Sequence, residues 1–207
     1  MKARSLALGA AFVALAELGC TTGEGSGEVT SQQLFVEDCW NGFFDLQPTF
    51  FAALPTGQNS LLLRIQRGDD FEEVSDGLSV LVNDLEAVRN SEGAALEVGL
   101  PRGVSPPGVP IEFDPDPPKV NLTLYLHDTC HSQNGALSST EGTITFRSIF
   151  SGDPSEGDAE DRFTDASFSA TFADPRKLSQ GGTATTSLVT GWFEFHFQRG
   201  QPAQPFP

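Results

Sequence analysis

The stretch Val120-Asn121-Leu122-Thr123-Leu124-Tyr125-Leu126-His127 is the clearest strand signal in the chain. Successive side chains of a β-strand point to opposite faces, so its valine and three leucines share one face. The final run, residues 189–197, repeats the pattern, with Phe193 and Phe195 predicted inward and Glu194 and His196 outward. Both runs predict half-buried strands, and the second predicts that the C-terminal region belongs to the core.

Working outward from these runs, similar apolar segments recur at short intervals and are separated by Gly, Pro and Asn-containing turns. They lie at residues 43–51, 60–66, 78–82, 95–100, 143–150 and 166–172. Eight or nine short strands favour an all-β protein, which we predict to be an antiparallel β-sandwich or jelly-roll-like single domain over residues 34–207.

Two segments interrupt the strand pattern. Residues 84–89 predict one or two helical turns, for which Asn83 is the expected N-cap. Residues 101–118 contain seven prolines, which exclude a central strand or a helix. We interpret that segment as an extended connection across the domain surface, and a boundary between two small domains is the alternative.

The N-terminus has the layout of an export signal. Lys2 and Arg4 precede a stretch of about eleven mostly apolar residues, Leu6–Ala16, which is short against the roughly 20 that a membrane-spanning helix needs. A basic segment followed by a short apolar segment is typical of a signal peptide, which we assign to residues 1–19.

Gly19-Cys20, placed directly after this apolar segment, resembles the lipobox of bacterial lipoproteins. The resemblance covers only the first twenty residues. It implies that the Cys20 thiol carries diacylglycerol, that Cys20 is the first mature residue, and that the protein is lipid-anchored in the bacterial cell envelope. Thr21, in place of the aspartate that retains such proteins at the inner membrane, implies the outer membrane. Ordinary cleavage after Ala14-Leu15-Ala16, giving a periplasmic or secreted protein, is the alternative.

The lipobox resemblance also bears on the cysteines, of which the chain has three. If Cys20 carries lipid, Cys39 and Cys130 remain as a disulfide pair, which closes a loop of about 90 residues. The residues between the lipid and the first strand signals, 20–33, are rich in Gly, Ser, Thr and Glu and predict a flexible linker.

The net charge of −16 limits the classes of partner. It repels phosphate backbones, so we expect no nucleic-acid partner. It also repels anionic lipid headgroups, so membrane attachment is expected through the acyl chains alone. Solubility is the preferred interpretation of the acidity, and cation binding is the alternative.

Three groups of residues are candidates for binding chemistry. The acidic segment 151–165 offers Asp153, Asp158 and Asp161 as calcium ligands, and no other cofactor is expected. His127 and His131 flank Cys130 in a zinc-like arrangement, which we interpret instead as the end of a disulfide with two surface histidines. Trp192, predicted outward beside acidic residues, is a candidate for stacking on sugar rings; coverage of its ring by another part of the domain is the preferred alternative.

No motif for nucleophilic, metal-dependent or phosphoryl-transfer catalysis is found in the sequence. We therefore predict a monomeric envelope lipoprotein that is not an enzyme and acts as a structural or protein-interaction module with an envelope protein as partner. A calcium- or carbohydrate-binding module is the alternative, followed by a secreted hydrolase.

Overall fold

The computed structural model describes residues 21–68, 75–101, 118–131, 135–150, 163–179 and 184–197. The described residues form strands joined by short turns and by two one-turn helices. In chain order the elements are β1 Thr21–Val36, β2 Trp40–Leu46, β3 Phe50–Gly57, β4 Ser60–Gln66, β5 Asp76–Val82, α1 Leu85–Arg89, β6 Ala95–Glu97, β7 Val120–Leu126, β8 Ala136–Ile149, β9 Phe163–Ala173, α2 Pro175–Ser179 and β10 Thr186–Phe197.

Eight strands close into an antiparallel barrel in the order β1, β3, β4, β5, β7, β8, β9, β10 and back to β1. Closure is made by β1 and β10, which pair from Gly23 opposite Phe197 to Thr30 opposite Thr190. The prediction of a sandwich or jelly roll is therefore wrong, although the prediction of an all-β chain is confirmed. Strands alternate inward and outward residues in both architectures, so the period of two does not distinguish them.

The strand that closes the barrel is largely the segment predicted to be a flexible linker. Residues 21–33 lie in β1, so the linker prediction is wrong for them and a domain start at residue 34 is too late. Gly23, Gly25 and Gly27 alternate along β1, and a Cβ on any of them would lie within 3.0 Å of β10 atoms. Glycine is needed here for close approach to β10, and a linker has the same composition for a different reason, chain flexibility.

The short strand β6 completes the sheet between β7 and β8. These two strands pair directly only from Thr123 to Tyr125, opposite residues 136–138. Further along β8, the partner is β6, and Val98 forms a parallel bridge to Val120. The Asn121 amide secures the inserted segment by donating to the carbonyl oxygens of residues 99 and 100, at 3.1 and 3.0 Å.

Phenylalanine side chains occupy the lumen. Phe51, Phe193 and Phe195 are at most 1% exposed, and the ring centroids of Phe51 and Phe195 lie 5.5 Å apart. Phe150 packs edge-on against Phe195 at 6.1 Å. An eight-stranded barrel has an interior just wide enough to be filled by side chains or to hold one small ligand, and side chains fill this part of it.

Helix α1 covers the end of the barrel where β1 begins and β10 ends, which we call the upper end. Leu85 and Val88 of α1 are fully buried. Asp84 is the N-cap, because its carboxylate accepts from the Ala87 backbone N–H at 2.9 Å. The expected cap, Asn83, instead donates to the Asn121 side chain at 2.7 Å and thereby links the start of the helical connection to β7.

Candidate binding surface on the outer wall of the barrel

Trp192 lies on the outer face of β10. The neighbouring Phe193 is fully buried in the lumen, and alternation along the strand places Trp192 on the opposite side, where it is 38% exposed. The described residues therefore leave the ring partly exposed, and its coverage by another part of the domain stays a prediction.

The register of the surrounding strands gives the neighbours of Trp192. Glu28 of β1 and Ser167 of β9 lie directly opposite it on its two sides. Thr145 of β8 lies opposite Ser167. Directly opposite residues have Cβ atoms roughly 4.5–5.5 Å apart, so these four side chains form one row across four strands.

The row on the lower side consists only of hydroxyl side chains. Thr30, Thr190, Ser169 and Thr143 lie opposite one another on β1, β10, β9 and β8. The hydroxyls of Thr30 and Thr190 are 3.4 Å apart. These positions are exposed or half-buried, so their hydroxyl groups face solvent.

The row on the upper side carries charge. Ser26 donates to Oε1 of Glu194 at 3.2 Å. Arg147 forms a two-point contact with Asp165, from Nε to Oδ2 at 2.7 Å and from the guanidinium to Oδ1 at 2.6 Å. The hydrogen bond and charge of Asp165 raise the pKa of the Arg147 guanidinium. Because Arg147 balances Asp165, the negative charge of this surface comes from Glu28 and Glu194.

We call the outer face made by these three rows of β8, β9, β10 and β1 the Trp192 wall. Neighbouring strands are about 4.8 Å apart, and residues two positions apart on a strand are separated by about 6.7 Å. Four strands and three rows therefore span roughly 14 by 13 Å. The centre of this area is the indole ring, and its surroundings are hydroxyls and carboxylates.

One other exposed hydrophobic residue borders this wall, and two more lie on β2. Leu188, 60% exposed, lies opposite Thr171 on the next row towards the lower end. Phe43 is 56% exposed on β2. Trp40, 37% exposed, lies opposite Val36 at the lower end of β2. The two tryptophans therefore have nearly equal exposure but different surroundings.

The predicted disulfide between Cys39 and Cys130 is confirmed, and it joins the β1–β2 turn to the β7–β8 turn. A buried carboxylate holds the second turn in place. Asp76, which is 1% exposed, accepts from the backbone N–H groups of Asp128 and Thr129, each at 3.0 Å, and from the Thr129 hydroxyl. Nothing in the local sequence singles out Asp76, since an acidic residue at the start of a strand is normally solvated.

A second polar cluster that the sequence analysis missed lies on the outer faces of β4 and β7. The Tyr125 hydroxyl donates to Oε1 of Gln66 at 3.0 Å and accepts from Nε of Arg64 at 3.2 Å. Gly77 leaves room for it, because a Cβ there would lie 2.3 Å from the hydroxyl. Burial raises the pKa of the Tyr125 phenol against the opposing effect of Arg64, so the phenol stays neutral at physiological pH.

Of the other predicted site residues, Cys39 and Cys130 lie in turns at the ends of strands and not on the Trp192 wall. Cys20 and the calcium candidates Asp153, Asp158 and Asp161 fall outside the described residues. Within the described ranges, no group of three or more His, Cys, Asp or Glu side chains is arranged to hold a metal ion. The interpretation of Cys130 as a disulfide end is confirmed, so its thiolate is not available to a zinc ion.

Comparisons with known proteins add no assignment: no protein-family model matches the chain, and neither does any curated protein. Among the helices of the described segments, none is both long and apolar enough to cross a membrane.

Proposed function

We propose that this chain is an exported bacterial envelope protein, lipid-anchored at Cys20 and directed to the outer membrane, whose barrel is a non-catalytic binding module. The observation that carries the binding role is the contrast between the lumen and the outer wall. Phenylalanine side chains fill the part of the lumen around Phe195, whereas Trp192 is exposed on the wall and Leu188 at its border. A partner is therefore expected to bind outside the barrel, at the Trp192 wall, because exposed aromatic side chains among polar groups are typical of recognition surfaces.

The Cys39–Cys130 disulfide supports the export part of this proposal, because disulfides persist in oxidising compartments outside the cytoplasm. The anchor itself is tested by the intact mass of protein extracted from native membranes. We expect the mass of residues 20–207 plus acyl chains, with a rise of about two daltons when the disulfide is reduced. A mass that begins at Glu17 without lipid would contradict the anchor and indicate a periplasmic or secreted protein.

The position of Cys20 also sets where an anchored barrel would lie. Because β1 begins at Thr21, one residue after the proposed lipid site, the upper end would lie next to the membrane surface. The Trp192 wall, which is on the side of the barrel, would then face sideways, away from the barrel axis, and not towards the lipid.

Binding at the wall is tested by photo-cross-linking in intact cells. A photoreactive side chain replaces Ser169, an exposed residue of the wall, and a matched one replaces His131, an exposed residue of the β7–β8 turn at the lower end. We expect an adduct with an envelope component from position 169 and none from position 131. Equal labelling from both positions, or no adduct from position 169, would contradict a binding role for the wall.

Calcium binding is an alternative function that does not involve the wall. Its candidate ligands Asp153, Asp158 and Asp161 lie outside the described residues. It is tested by thermal melts in millimolar calcium and in chelator. A calcium site stabilises the folded state by mass action and raises the melting temperature. Identical melts would remove this alternative.

A further inference from the structure

We infer that the Trp192 wall binds an uncharged oligosaccharide. This inference rests on the proposed function, since it names the class of ligand that the same wall would bind. Three features carry it: the partly exposed indole, the hydroxyl side chains in its own row and in the row below it, and the sign of the charge on the wall.

The indole supplies the apolar part of the site. Trp192 is 38% exposed in the middle row, between Glu28 of β1 and Ser167 of β9. A sugar ring has one apolar C–H face and a rim of hydroxyl groups, and an aromatic ring can cover the C–H face. Pairing with β1 and β9 fixes the backbone of Trp192, so only the two side-chain torsions of the indole are ordered when a ligand stacks on it.

The rows around the indole supply the hydrogen-bonding part. Thr190, Ser169 and Thr143 form one row, and Ser167 and Thr145 continue the row of Trp192. Hydroxyl side chains both donate and accept, so they can match sugar hydroxyls in either direction. Side chains on neighbouring strands lie about 4.8 Å apart, so several of these hydroxyl groups can contact one bound ligand.

The negative charge of the wall favours an uncharged ligand over an anionic one. Glu28 and Glu194 are negative, and Arg147 is paired with Asp165 by two hydrogen bonds. The whole chain has a net charge of −16. A sulfated or uronate-containing polymer would be repelled, whereas an uncharged glycan pays no such electrostatic cost and can donate to both glutamates.

The same groups argue against a protein partner at the centre of the wall. The core of a protein interface is depleted in charged residues and excludes water around its aromatic anchors. Here Glu28 lies directly opposite Trp192, and Glu194 is the next outward residue along β10. Among the described residues of the wall, the cation Arg147 is already bound to Asp165, so a protein that buried both carboxylates would have to supply their counter-ions itself.

The two tryptophans of the chain allow a direct test. Trp40→Ala leaves Trp192 as the sole indole reporter, and Trp192→Ala leaves Trp40, which is equally exposed but outside the wall. The mature full-length protein in detergent is titrated with cellohexaose and with N-acetylated chitohexaose as uncharged probes, and with polygalacturonate as the anionic probe. Affinity is measured by calorimetry, and the emission of the remaining indole is recorded in parallel.

We expect Trp40→Ala to bind at least one uncharged probe with wild-type affinity and to change its emission on binding. Trp192→Ala is expected to weaken binding by about tenfold or more, and Trp192→Phe by less, because Phe keeps an aromatic face. Circular dichroism and a thiol count establish that each variant is folded with its disulfide intact.

Three outcomes would overturn the inference: no binding of either uncharged probe at millimolar concentration, equal loss in both tryptophan variants, or tighter binding of polygalacturonate. If cross-linking from position 169 captures a protein while both uncharged probes fail, the proposed binding role stands and the glycan assignment fails. If position 169 gives no adduct and the probes also fail to bind, both the binding role of the wall and the glycan assignment are wrong.

Discussion

Replacement of Gly25 by alanine tests whether residues 21–28 close a barrel or form a linker. A Cβ at Gly25 would lie 2.1 Å from the Glu194 carbonyl oxygen and 2.4 Å from the Phe195 Cβ. Both atoms belong to β10, and neither can move away by a side-chain rotation. Relief of the contact to 3.0 Å therefore requires β1 and β10 to separate by about 0.9 Å, which would stretch a ladder hydrogen bond of about 2.9 Å to about 3.8 Å.

The expected cost follows from these distances. Overpacking of a well-packed site typically costs about 1–3 kcal/mol, and each ladder hydrogen bond lost adds about 1 kcal/mol. We expect Gly25→Ala to lower the free energy of unfolding by about 2–4 kcal/mol. For a chain of this size, that corresponds to a decrease in melting temperature of roughly 4–16 °C.

The assay is urea unfolding of the oxidised protein, followed by circular dichroism and by tryptophan emission. Ser26→Ala is the matched control, because Ser26 is the next residue of β1 and faces outward with one hydrogen bond to Glu194. Its cost should stay within about 0.5 kcal/mol. A Gly25→Ala variant as stable as the Ser26→Ala variant would refute the pairing of β1 with β10 and restore the linker interpretation.

Three further predictions concern groups outside the wall. Tyr125 is the only tyrosine, so its tyrosinate absorbance can be followed alone, and we expect the folded protein to titrate above pH 10.0 because burial raises the phenol pKa. As the pH rises, the phenol of the unfolded chain ionises before that of the folded protein. The contribution of Tyr125 to the free energy of unfolding is therefore complete below about pH 10 and is lost as the pH rises through the folded pKa. Asp76→Ala should cost about 3 kcal/mol in urea unfolding, because two backbone N–H groups lose a buried carboxylate acceptor. Reduction of the Cys39–Cys130 disulfide, which spans 91 residues, should cost about 4–5 kcal/mol in the same assay.

Each of these predictions has its own control. Tyr125→Phe should remove the alkaline loss of stability, and a folded-state midpoint at or below pH 10 would contradict the burial effect. Asp128→Ala changes a neighbouring acidic side chain that is 55% exposed, so a cost equal to that of Asp76→Ala would show that the buried acceptor is not the cause. For the disulfide, an unchanged unfolding midpoint in protein with a measured content of free thiols would contradict the loop-closure estimate.

Much of the wall could be derived from the final strand alone. Alternation in residues 189–197 indicated that Phe193 and Phe195 face inward and that Trp192 and Glu194 face outward, and the structure agrees. The residues that complete the wall could not be derived in this way. Ser167, Thr145 and Glu28 are ordinary strand residues, and only the register between strands brings them beside the indole.

The burial of two polar groups, likewise, could be learned only from the tertiary structure. Asp76 and Tyr125 are placed by partners 52 to 61 residues away in the chain, so no local pattern indicates that they are buried. The helix cap illustrates a smaller version of this effect. Asn83 and Asp84 are both good N-cap residues, and the contact of Asn83 with Asn121 on β7 leaves the cap to Asp84.

The sequence by itself determined the strand-rich character of the chain, the faces of its strongest strands and its acidity. These properties depend on side-chain period and composition, which are local or additive. The pairing of Cys39 with Cys130 was expected only because the lipobox resemblance sets Cys20 aside, since three cysteines alone allow three pairs. Only the tertiary structure decided that the sheet closes into a barrel, that the glycine-rich residues 21–33 belong to its closing strand, and that Trp192 lies among hydroxyls and carboxylates. Closure depends on which strands meet edge to edge, and that choice is made by contacts between residues such as Gly25 and Phe195, which lie at opposite ends of the chain.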